Sequence, residues 1–169
     1  MNQKDFVQLI HPFRDKLFRL AKRLLISTEE AEDATQEVLV KLWNKNSVLN
    51  DYKSTEALAM TITKNYCLDQ LKSKRASNLQ ITHTNYKDPQ RSIDEKAEDN
   101  DNLQWVEKII NQLPEQQRLL IQLRDIEQYD YTEIAQIVEM TESAIRTTLS
   151  RTRKTIREKM QQKHNHGIN

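Results

Sequence analysis

The residues best suited to binding chemistry lie near the carboxyl end of the chain, between Thr141 and Arg157. Basic and small hydroxyl side chains recur there at the spacing that places them on one face of an α-helix. This face contains Ser143, Arg146, Thr147, Ser150, Arg151, Lys154 and Arg157. Arginine can form paired hydrogen bonds with guanine, and hydroxyl groups can bond to bases or phosphates. The pattern therefore predicts a surface that reads the major groove of DNA.

The elements around this surface favour the same interpretation. The opposite face of the segment carries Ile145, Leu149, Thr152 and Ile156. A short helix is predicted directly before it, from Thr132 to about Glu139, and Thr141 is a good N-terminal cap for the basic helix. Two helices in close succession, the second with a basic outer face, form a helix-turn-helix pattern. The alternative is an ordinary amphipathic helix with a basic exterior, which does not explain this spacing.

A different chemistry is indicated on the helix predicted from Glu29 to Trp43. Its inward side carries Ala31, Ala34, Val38 and Leu42. Its opposite side presents Asp33, Gln36, Glu37 and Val40. An acidic, hydrogen-bonding patch around an exposed apolar side chain is typical of a docking site for a basic protein partner. A solvated helix surface would explain the carboxylates, but it would leave Val40 in water without a reason.

Composition excludes most catalytic and nucleotide-binding classes. Only one of the 169 residues is glycine, and it is Gly167 in the tail. Phosphate-cradling loops and dinucleotide-binding turns need glycine where the backbone must approach a ligand closely. No nucleophile-base pattern is present, and the histidines are scattered at His11, His83, His164 and His166. We therefore expect no catalytic residues, no bound metal, no cofactor and no enzyme activity of the chain by itself.

Cysteine content and hydropathy indicate where the protein works. The single cysteine, Cys67, cannot form an internal disulfide, which agrees with a reducing compartment. The sequence has no run of about 18 apolar residues and no apolar stretch typical of a secretory signal. We expect a soluble, cytoplasmic protein that does not insert into a membrane.

Apolar periodicity divides the chain into two helical regions. Helices are predicted at residues 6–24, 29–43, 55–75 and 103–126, the last broken at Pro114. Residues 76–100 have no sustained apolar period and are predicted to be a linker. We predict an all-α protein with two small helical domains joined by a flexible linker. The predicted divisions are a first domain at 1–75, an acidic linker at 76–100, a second domain at 101–163 and a tail at 164–169.

The net charge of +1 hides a polarised chain. Residues 141–169 have seven Lys and Arg against two Asp and Glu, whereas residues 76–140 have six against thirteen. The first domain also ends in a basic cluster at Lys72, Lys74 and Arg75. Two basic sites separated by an acidic middle predict a polyanion bound at two places. On charge alone, a set of solvated surfaces would be the simpler explanation.

In combination, three stretches of the sequence resemble the sigma factors of bacterial RNA polymerase. The first is residues 31–38 with Leu42 and Trp43, and the second is residues 62–72. The third runs from Leu113 and Pro114 through residues 131–135 to 146–153. The resemblance is to the small, two-domain extracytoplasmic-function (ECF) type of the sigma-70 family, and it covers nearly the whole chain apart from the linker and the tail.

For the first domain, this resemblance implies binding to the clamp helices of the largest polymerase subunit and opening of the minus-ten promoter element. The polymerase-binding surface would be the face of Asp33, Gln36, Glu37 and Val40. Residues 46–55 would capture a base flipped from the non-template strand, and this contact must compensate for unstacking. The residues expected to contact minus-ten DNA are Asn50, Asp51, Tyr52, Lys53, Lys64, Asn65, Lys72, Lys74 and Arg75.

For the second domain, the resemblance implies contact with the polymerase flap and reading of the minus-thirty-five element. The residues expected to read this element are Ser143, Arg146, Thr147, Ser150 and Arg151, with Lys154 on phosphate. The acidic linker would pass near the active-site and RNA-exit channels. The implied partners are core RNA polymerase, promoter DNA and, as is common for this type, an anti-sigma protein. We expect the free chain to be a monomer.

The sequence departs from the family pattern at a few positions. Leu58 stands where the third helix usually has tryptophan, and the loop before it has Ser54 in place of glycine. Glu139 replaces the usual glycine in the turn of the helix-turn-helix. If the φ angle of Glu139 is positive, its backbone strain costs about 1 kcal/mol.

Two other functions remain open. A freestanding helix-turn-helix regulator, with an N-terminal bundle that senses a ligand or dimerises, would bind a duplex operator without polymerase. A sigma factor would bind promoters weakly alone, because its separate readers need a scaffold that fixes their spacing. A helical scaffold that does not touch nucleic acid is the third function, and the basic face from Arg146 to Arg157 argues against it.

Overall fold

The computed structural model describes residues 1–80 and 101–166, and every regular element there is a helix, which confirms the prediction of an all-α protein. The first part contains α1 (Gln3–Ile10), α2 (Arg14–Leu25), α3 (Thr28–Asn44) and α4 (Thr55–Gln80). The second part contains α5 (Asp101–Asn111), α6 (Glu115–Ile121), α7 (Tyr131–Val138) and α8 (Glu142–His166). None of these described helices is long and apolar enough to cross a membrane. Residues 81–100 and 167–169, which belong to the predicted linker and tail, lie outside the described residues.

Short polar side chains define where several helices begin. The Asn2 side chain accepts a hydrogen bond from the Asp5 backbone N–H at 2.8 Å at the start of α1. The Ser27 hydroxyl accepts one from the Glu30 N–H at 3.3 Å at the start of α3. Each such bond satisfies one of the backbone donors that has no partner inside the helix.

The prediction of a single helix from residue 6 to residue 24 is wrong. A 3₁₀ turn at His11–Phe13, which contains Pro12, separates α1 from α2. Proline has no backbone N–H, and its ring clashes with the preceding helical turn. The apolar period continues across the break because Ile10 and Leu17 both reach the same core.

Other predicted boundaries also shift. Helix α4 continues to Gln80, so residues 76–80 of the predicted linker are helical, and α8 continues to His166 into the predicted tail. Neither extension contains glycine or proline, so nothing in the local sequence stops the helix. The segment between α3 and α4, predicted to be a loop, contains a 3₁₀ helix at Asn46–Asp51.

One apolar core extends through both halves of the described chain. Helix α2 packs against α3 and α4 in the first half and against α6 in the second. Helix α4 packs against α7, and α8 packs against α5, α6 and α7. Leu20 and Met60 of the first half are fully buried, as are Leu120 and Ile134 of the second. The two halves that the sequence predicts as separate domains therefore lie against each other.

The single cysteine belongs to this core. Cys67 on α4 is fully buried, and burial raises the pKa of its thiol to about 12. A thiol with that pKa stays protonated at neutral pH and is a poor nucleophile. Cys67 is therefore a packing residue.

Within residues 1–80 and 101–166, three residues that are not glycine adopt left-handed backbone. Their φ angles are 68° at Ile26, 63° at Gln128 and 57° at Glu139. Ile26 ends α2, and its backbone N–H bonds to the Lys22 carbonyl oxygen at 2.8 Å. A positive φ is most costly for a β-branched residue, because its side chain crowds the backbone. Ile26 is thus a point of stored strain that packing elsewhere must offset.

Replacing Ile26 with asparagine should stabilise the protein, because asparagine tolerates left-handed backbone and the Ile26 side chain is 38% exposed. We expect urea denaturation to show a rise in the free energy of unfolding of about 1 kcal/mol. The matched control is Ile126→Asn, since Ile126 is 43% exposed but has no positive φ. A fall in stability for Ile26→Asn, or equal gains for both variants, would contradict the assignment of strain.

Candidate nucleic-acid interface and docking face

The helix-turn-helix consists of α7, a short turn and α8. Asp130 begins α7 with a reciprocal pair of bonds. Its carboxylate accepts from the Glu133 backbone N–H at 2.8 Å, and the Glu133 carboxylate accepts from the Asp130 N–H at 3.2 Å. The Thr141 hydroxyl accepts from the Ala144 N–H at 3.1 Å and caps α8 as predicted. The left-handed residue Glu139 ends α7, which confirms the expected strain in the turn.

The predicted reading residues share one exposed surface on α8, which we call the reading face. Its members are Ser143, Arg146, Thr147, Ser150, Arg151 and Lys154, and all are exposed. Ile145, Leu149 and Thr152 lie on the buried side of the same helix, where the helical period places them. The surface that the sequence predicts is therefore present, with three positive charges and three hydroxyl groups available to a ligand.

Arg146 has two neighbours that shape its position. Its guanidinium carbon lies over the Tyr131 ring, 4.4 Å from the ring centre. Its Nη2 atom is 3.9 Å from Oε1 of Glu142, one turn earlier on α8. The Arg146 side chain is 57% exposed, so it keeps access to solvent and to a ligand.

Arg153, at the edge of the reading face, has a structural contact. Its guanidinium donates to both carboxylate oxygens of Asp125, at 3.1 and 2.5 Å. The hydrogen bond to Asp125 raises the pKa of Arg153. This ion pair joins α8 to the chain segment before α7, whereas Arg146 and Arg151 of the reading face are exposed.

The residues predicted to form a docking face lie together on the exposed side of α3, and we call this surface the docking face. Asp33, Gln36, Glu37 and Val40 are all exposed, and Val40 is 53% exposed. Trp43 follows one turn later with 36% exposure, and its ring contacts Phe6 edge to face at 5.2 Å. Trp43 extends the apolar part of this face, a role not predicted from the sequence. The sequence signal for this role is that Trp43 follows Val40 by three residues, a spacing that places both on one side of a helix.

The predicted minus-ten residues do not form one continuous surface. Eight of the nine are exposed: Asn50, Asp51, Tyr52, Lys53, Asn65, Lys72, Lys74 and Arg75. Lys74 forms an ion pair with Glu30 of α3. Arg75 forms one with Glu115 of α6, at 2.7 Å. The structure thus brings some of these cations into contact with other parts of the chain, and one of them is buried.

The buried residue is Lys64, which faces the second half of the chain. It is 7% exposed, and its amine donates a hydrogen bond to the Ile137 carbonyl oxygen at 2.8 Å. Burial lowers the pKa of the amine. The carbonyl lies near the end of α7, where the helix dipole is negative and favours a cation. In this arrangement the Lys64 amine faces the second half of the chain and is largely removed from solvent.

Two buried arginines, which the sequence analysis did not single out, join the halves. Arg23 of α2 donates to the Gln122 side-chain oxygen at 2.8 Å and pairs with Glu107 of α5 at 2.8 Å. Arg118 of α6 donates to the backbone oxygens of Arg23 and Leu24 at 3.1 and 2.9 Å. Burial lowers the pKa of the Arg118 guanidinium. No signal identifies these residues in the sequence, since arginine on a helix is usually exposed.

An open cavity of about 450 Å³ lies at the junction of the halves. Tyr52 and Lys53, both predicted minus-ten residues, line one side, and Asp130 and Glu133 of the second half line the other. The segment expected to capture a base therefore faces the start of α7. Among the described residues, no group of three His, Cys, Asp or Glu side chains is arranged to hold a metal ion.

Comparison with protein families gives two matches that belong together. The family model "Sigma-70 region 2" matches residues 9–77, which include the docking face. The family model "Sigma-70, region 4" matches residues 103–156, which include the reading face. The two matches together cover more than half of the chain.

Individual relatives and solved structures agree with these matches. The ECF RNA polymerase sigma factor SigX of Bacillus subtilis is 23% identical over 94% of this chain and 85% of its own. The RNA polymerase sigma-E factor of Streptomyces avermitilis is 22% identical over 93% and 86%. The sigma factor RpoE of Bartonella quintana, solved in complex with the anti-sigma factor NepR, aligns with a TM-score of 0.74. That alignment is 25% identical and covers 94% of this chain and 98% of RpoE.

The contact of Lys64 with Ile137 should protect its amine in the free protein. We expect brief acetylation with acetic anhydride, read by mass spectrometry, to modify Lys64 at least about tenfold more slowly than Lys72. Lys72 is the matched control because it is exposed on the same helix. The lowered pKa of Lys64 would by itself speed the reaction, so slow labelling reports burial. Equal rates for the two lysines would show that the halves separate readily in solution.

Proposed function

The chain belongs to the sigma-70 family of RNA polymerase sigma factors, in its extracytoplasmic-function group, and from this premise we propose how its two halves divide promoter recognition. The protein is a sigma factor that binds core RNA polymerase and directs initiation at specific promoters. One observation carries the division of roles: an exposed acidic face on α3 and an exposed basic face on α8 occur in the same chain.

In this proposal, residues 1–75 form the domain that binds polymerase and opens the minus-ten element. Asp33, Gln36 and Glu37 supply charge and hydrogen bonds to a basic partner, and Val40 supplies an apolar anchor. Residues 46–55 lie beside the candidate docking face and are mostly exposed, which suits capture of an unstacked base. The other proposed contacts to minus-ten DNA are Lys64, Asn65, Lys72, Lys74 and Arg75.

Residues 101–163 form the domain that reads the minus-thirty-five element in this proposal. The reading face of α8 enters the major groove, with Arg146 and Arg151 on base edges and Lys154 on phosphate. Ser143, Thr147 and Ser150 approach bases or the backbone from the same side. Residues 76–100 act as the acidic linker between the domains, and residues 164–169 are the tail.

In this proposal, the packed arrangement of the halves makes promoter binding depend on polymerase. Lys64 and Arg75, two proposed contacts to minus-ten DNA, are bonded to the second half of the chain. The buried Lys64 amine cannot contact DNA while it keeps its partner, and one guanidinium nitrogen of Arg75 is engaged by Glu115. The docking face stays exposed in the same arrangement, so polymerase can bind it first. Binding energy from that contact is then available to separate the halves.

The remaining assignments follow from the same proposal. The protein itself catalyses no reaction and needs no cofactor, since RNA synthesis belongs to the polymerase. It works in the cytoplasm, where its polymerase and promoters are, and it is monomeric when free. Because RpoE of Bartonella quintana was solved with an anti-sigma factor, we propose that a protein inhibitor of this kind also binds this chain.

The docking face can be tested by run-off transcription on a promoter library with purified core polymerase. The wild-type protein should produce new start sites that share two spaced upstream motifs. Asp33→Ala with Glu37→Ala should reduce these starts at least about tenfold, because both changes remove charge from the docking contact. The matched control is Asp15→Ala with Glu158→Ala, which removes the same charge from two exposed positions elsewhere. Equal losses in the two variants would refute the location of the docking face.

Substitutions in the reading face should weaken discrimination between promoter sequences and should not weaken polymerase binding. Arg146→Ala with Arg151→Ala should reduce transcription from a matched upstream motif about tenfold or more, while pull-down of core polymerase stays unchanged. Arg14→Ala with Lys4→Ala removes the same charge from exposed positions and should have little effect. If no starts appear while the protein alone shifts a duplex site, it is a freestanding regulator and the proposed role of the first domain is wrong.

A further inference from the structure

One aromatic ring beside the reading face has no role in the function described so far. Tyr131 is the first residue of α7 and is partly buried. The guanidinium carbons of Arg124 and Arg146 each lie 4.4 Å from the centre of its ring. A cation within about 6 Å of a ring centre is attracted by the negative charge of the ring face. Tyr131 therefore binds two cations, one of which belongs to the reading face.

The Tyr131 ring is itself held in place. The reciprocal bonds between Asp130 and Glu133 fix the first turn of α7, from which the ring projects. The Arg124 guanidinium donates to the Tyr129 backbone oxygen at 2.9 Å, so the second cation is also anchored. The ring and Arg124 together form a rigid support on one side of Arg146.

Arg146 has little else to orient it. Its distance of 3.9 Å from Glu142 is long for a hydrogen bond, and both side chains are about half exposed. An arginine without a firm contact samples many rotamers, and binding DNA must then select one of them. Contact with a ring face uses none of the guanidinium N–H donors, so the donors stay free for a base.

We propose that Tyr131 is a positioning residue that holds Arg146 in its reading orientation before DNA binds. The proposal rests on the proposed function, because it needs Arg146 to contact a base. Tyr131 acts through Arg146, so its ring should sharpen discrimination at one upstream base pair without touching that base pair. A phenylalanine ring should replace it, since the ring and not the hydroxyl makes the contact.

The first test uses the free, full-length protein and no polymerase. The aromatic ring current should displace the NMR signals of the Arg146 and Arg124 side chains from their ordinary positions. Tyr131→Phe should keep this displacement and Tyr131→Leu should remove it, while thermal unfolding shows that both variants fold. If Tyr131→Leu does not fold, Tyr131→Gln replaces it. Arg146 signals that do not change between wild type and the leucine or glutamine variant would overturn the proposal.

The second test measures discrimination by run-off transcription with core polymerase. Two templates are compared. One carries the matched upstream motif, and the other carries a single base change in that motif. The change is the one that the wild-type protein discriminates against and Arg146→Ala does not. Tyr131→Leu should lower the ratio of the transcription rate on the matched template to the rate on the changed template about three- to fivefold. Tyr131→Phe should keep this ratio within about twofold of wild type. In the Arg146→Ala background, Tyr131→Leu should have no further effect.

If Tyr131→Leu lowers the rate ratio equally in the Arg146→Ala background, Tyr131 supports folding or another contact, and the proposal is wrong. If Tyr131→Phe lowers the rate ratio as much as Tyr131→Leu does, the proposal is overturned as well. Failure of the wild-type protein to start transcription would reject the proposed function. The NMR test would still decide whether Tyr131 orients Arg146, so the two failures are distinguishable.

Discussion

The interaction on which the arrangement of this protein depends is the burial of two arginines between its halves. A guanidinium removed from water is costly unless its donors are satisfied by oxygens in the correct places. Arg118 meets this requirement with backbone oxygens at the end of α2, and Arg23 meets it with side chains of α5 and of the segment after α6. Any displacement of α2 relative to α6 would leave several of these donors without partners. The need to keep these partners constrains α2 and α6, and through them the helices that carry the docking face and the reading face.

The need to satisfy the buried arginines also links the docking face to the reading face. The docking face lies on α3, which packs against α2, and the reading face lies on α8, which packs against α6. Because α2 and α6 meet at the buried arginines, the acidic and basic faces are parts of one body in this arrangement. Lys64 adds a further contact, from α4 to the end of α7. Charged residues therefore have two positions here, since some form the two proposed binding surfaces and others join the helices that carry them.

The helices and the exposure of both faces could be predicted because apolar periodicity is local. Ile145 and Leu149 define the buried side of α8, and the six reading residues follow on the other side by geometry alone. The break at Pro12 was predictable in principle, but the continuous apolar period concealed it. The burial of Arg23 and Lys64 was not predictable, since their partners lie more than 70 residues away in sequence. The support of Arg146 by Tyr131 was hidden for the same reason, because a ring contact has no sequence pattern.

Helix α8 is one uninterrupted helix of 25 residues, and it is fixed at points well beyond the reading face. Arg153 is bonded to Asp125, and Lys163 near the far end is bonded to Asp101 at 2.8 Å and lies over the Trp105 ring. Each residue of a helix turns the chain by about 100°. An insertion or deletion of one residue between Arg151 and Lys163 would therefore rotate a fixed point away from its partner. Only a change of length after Lys163 keeps all of these contacts, so the contacts beyond the reading face also constrain the length of α8.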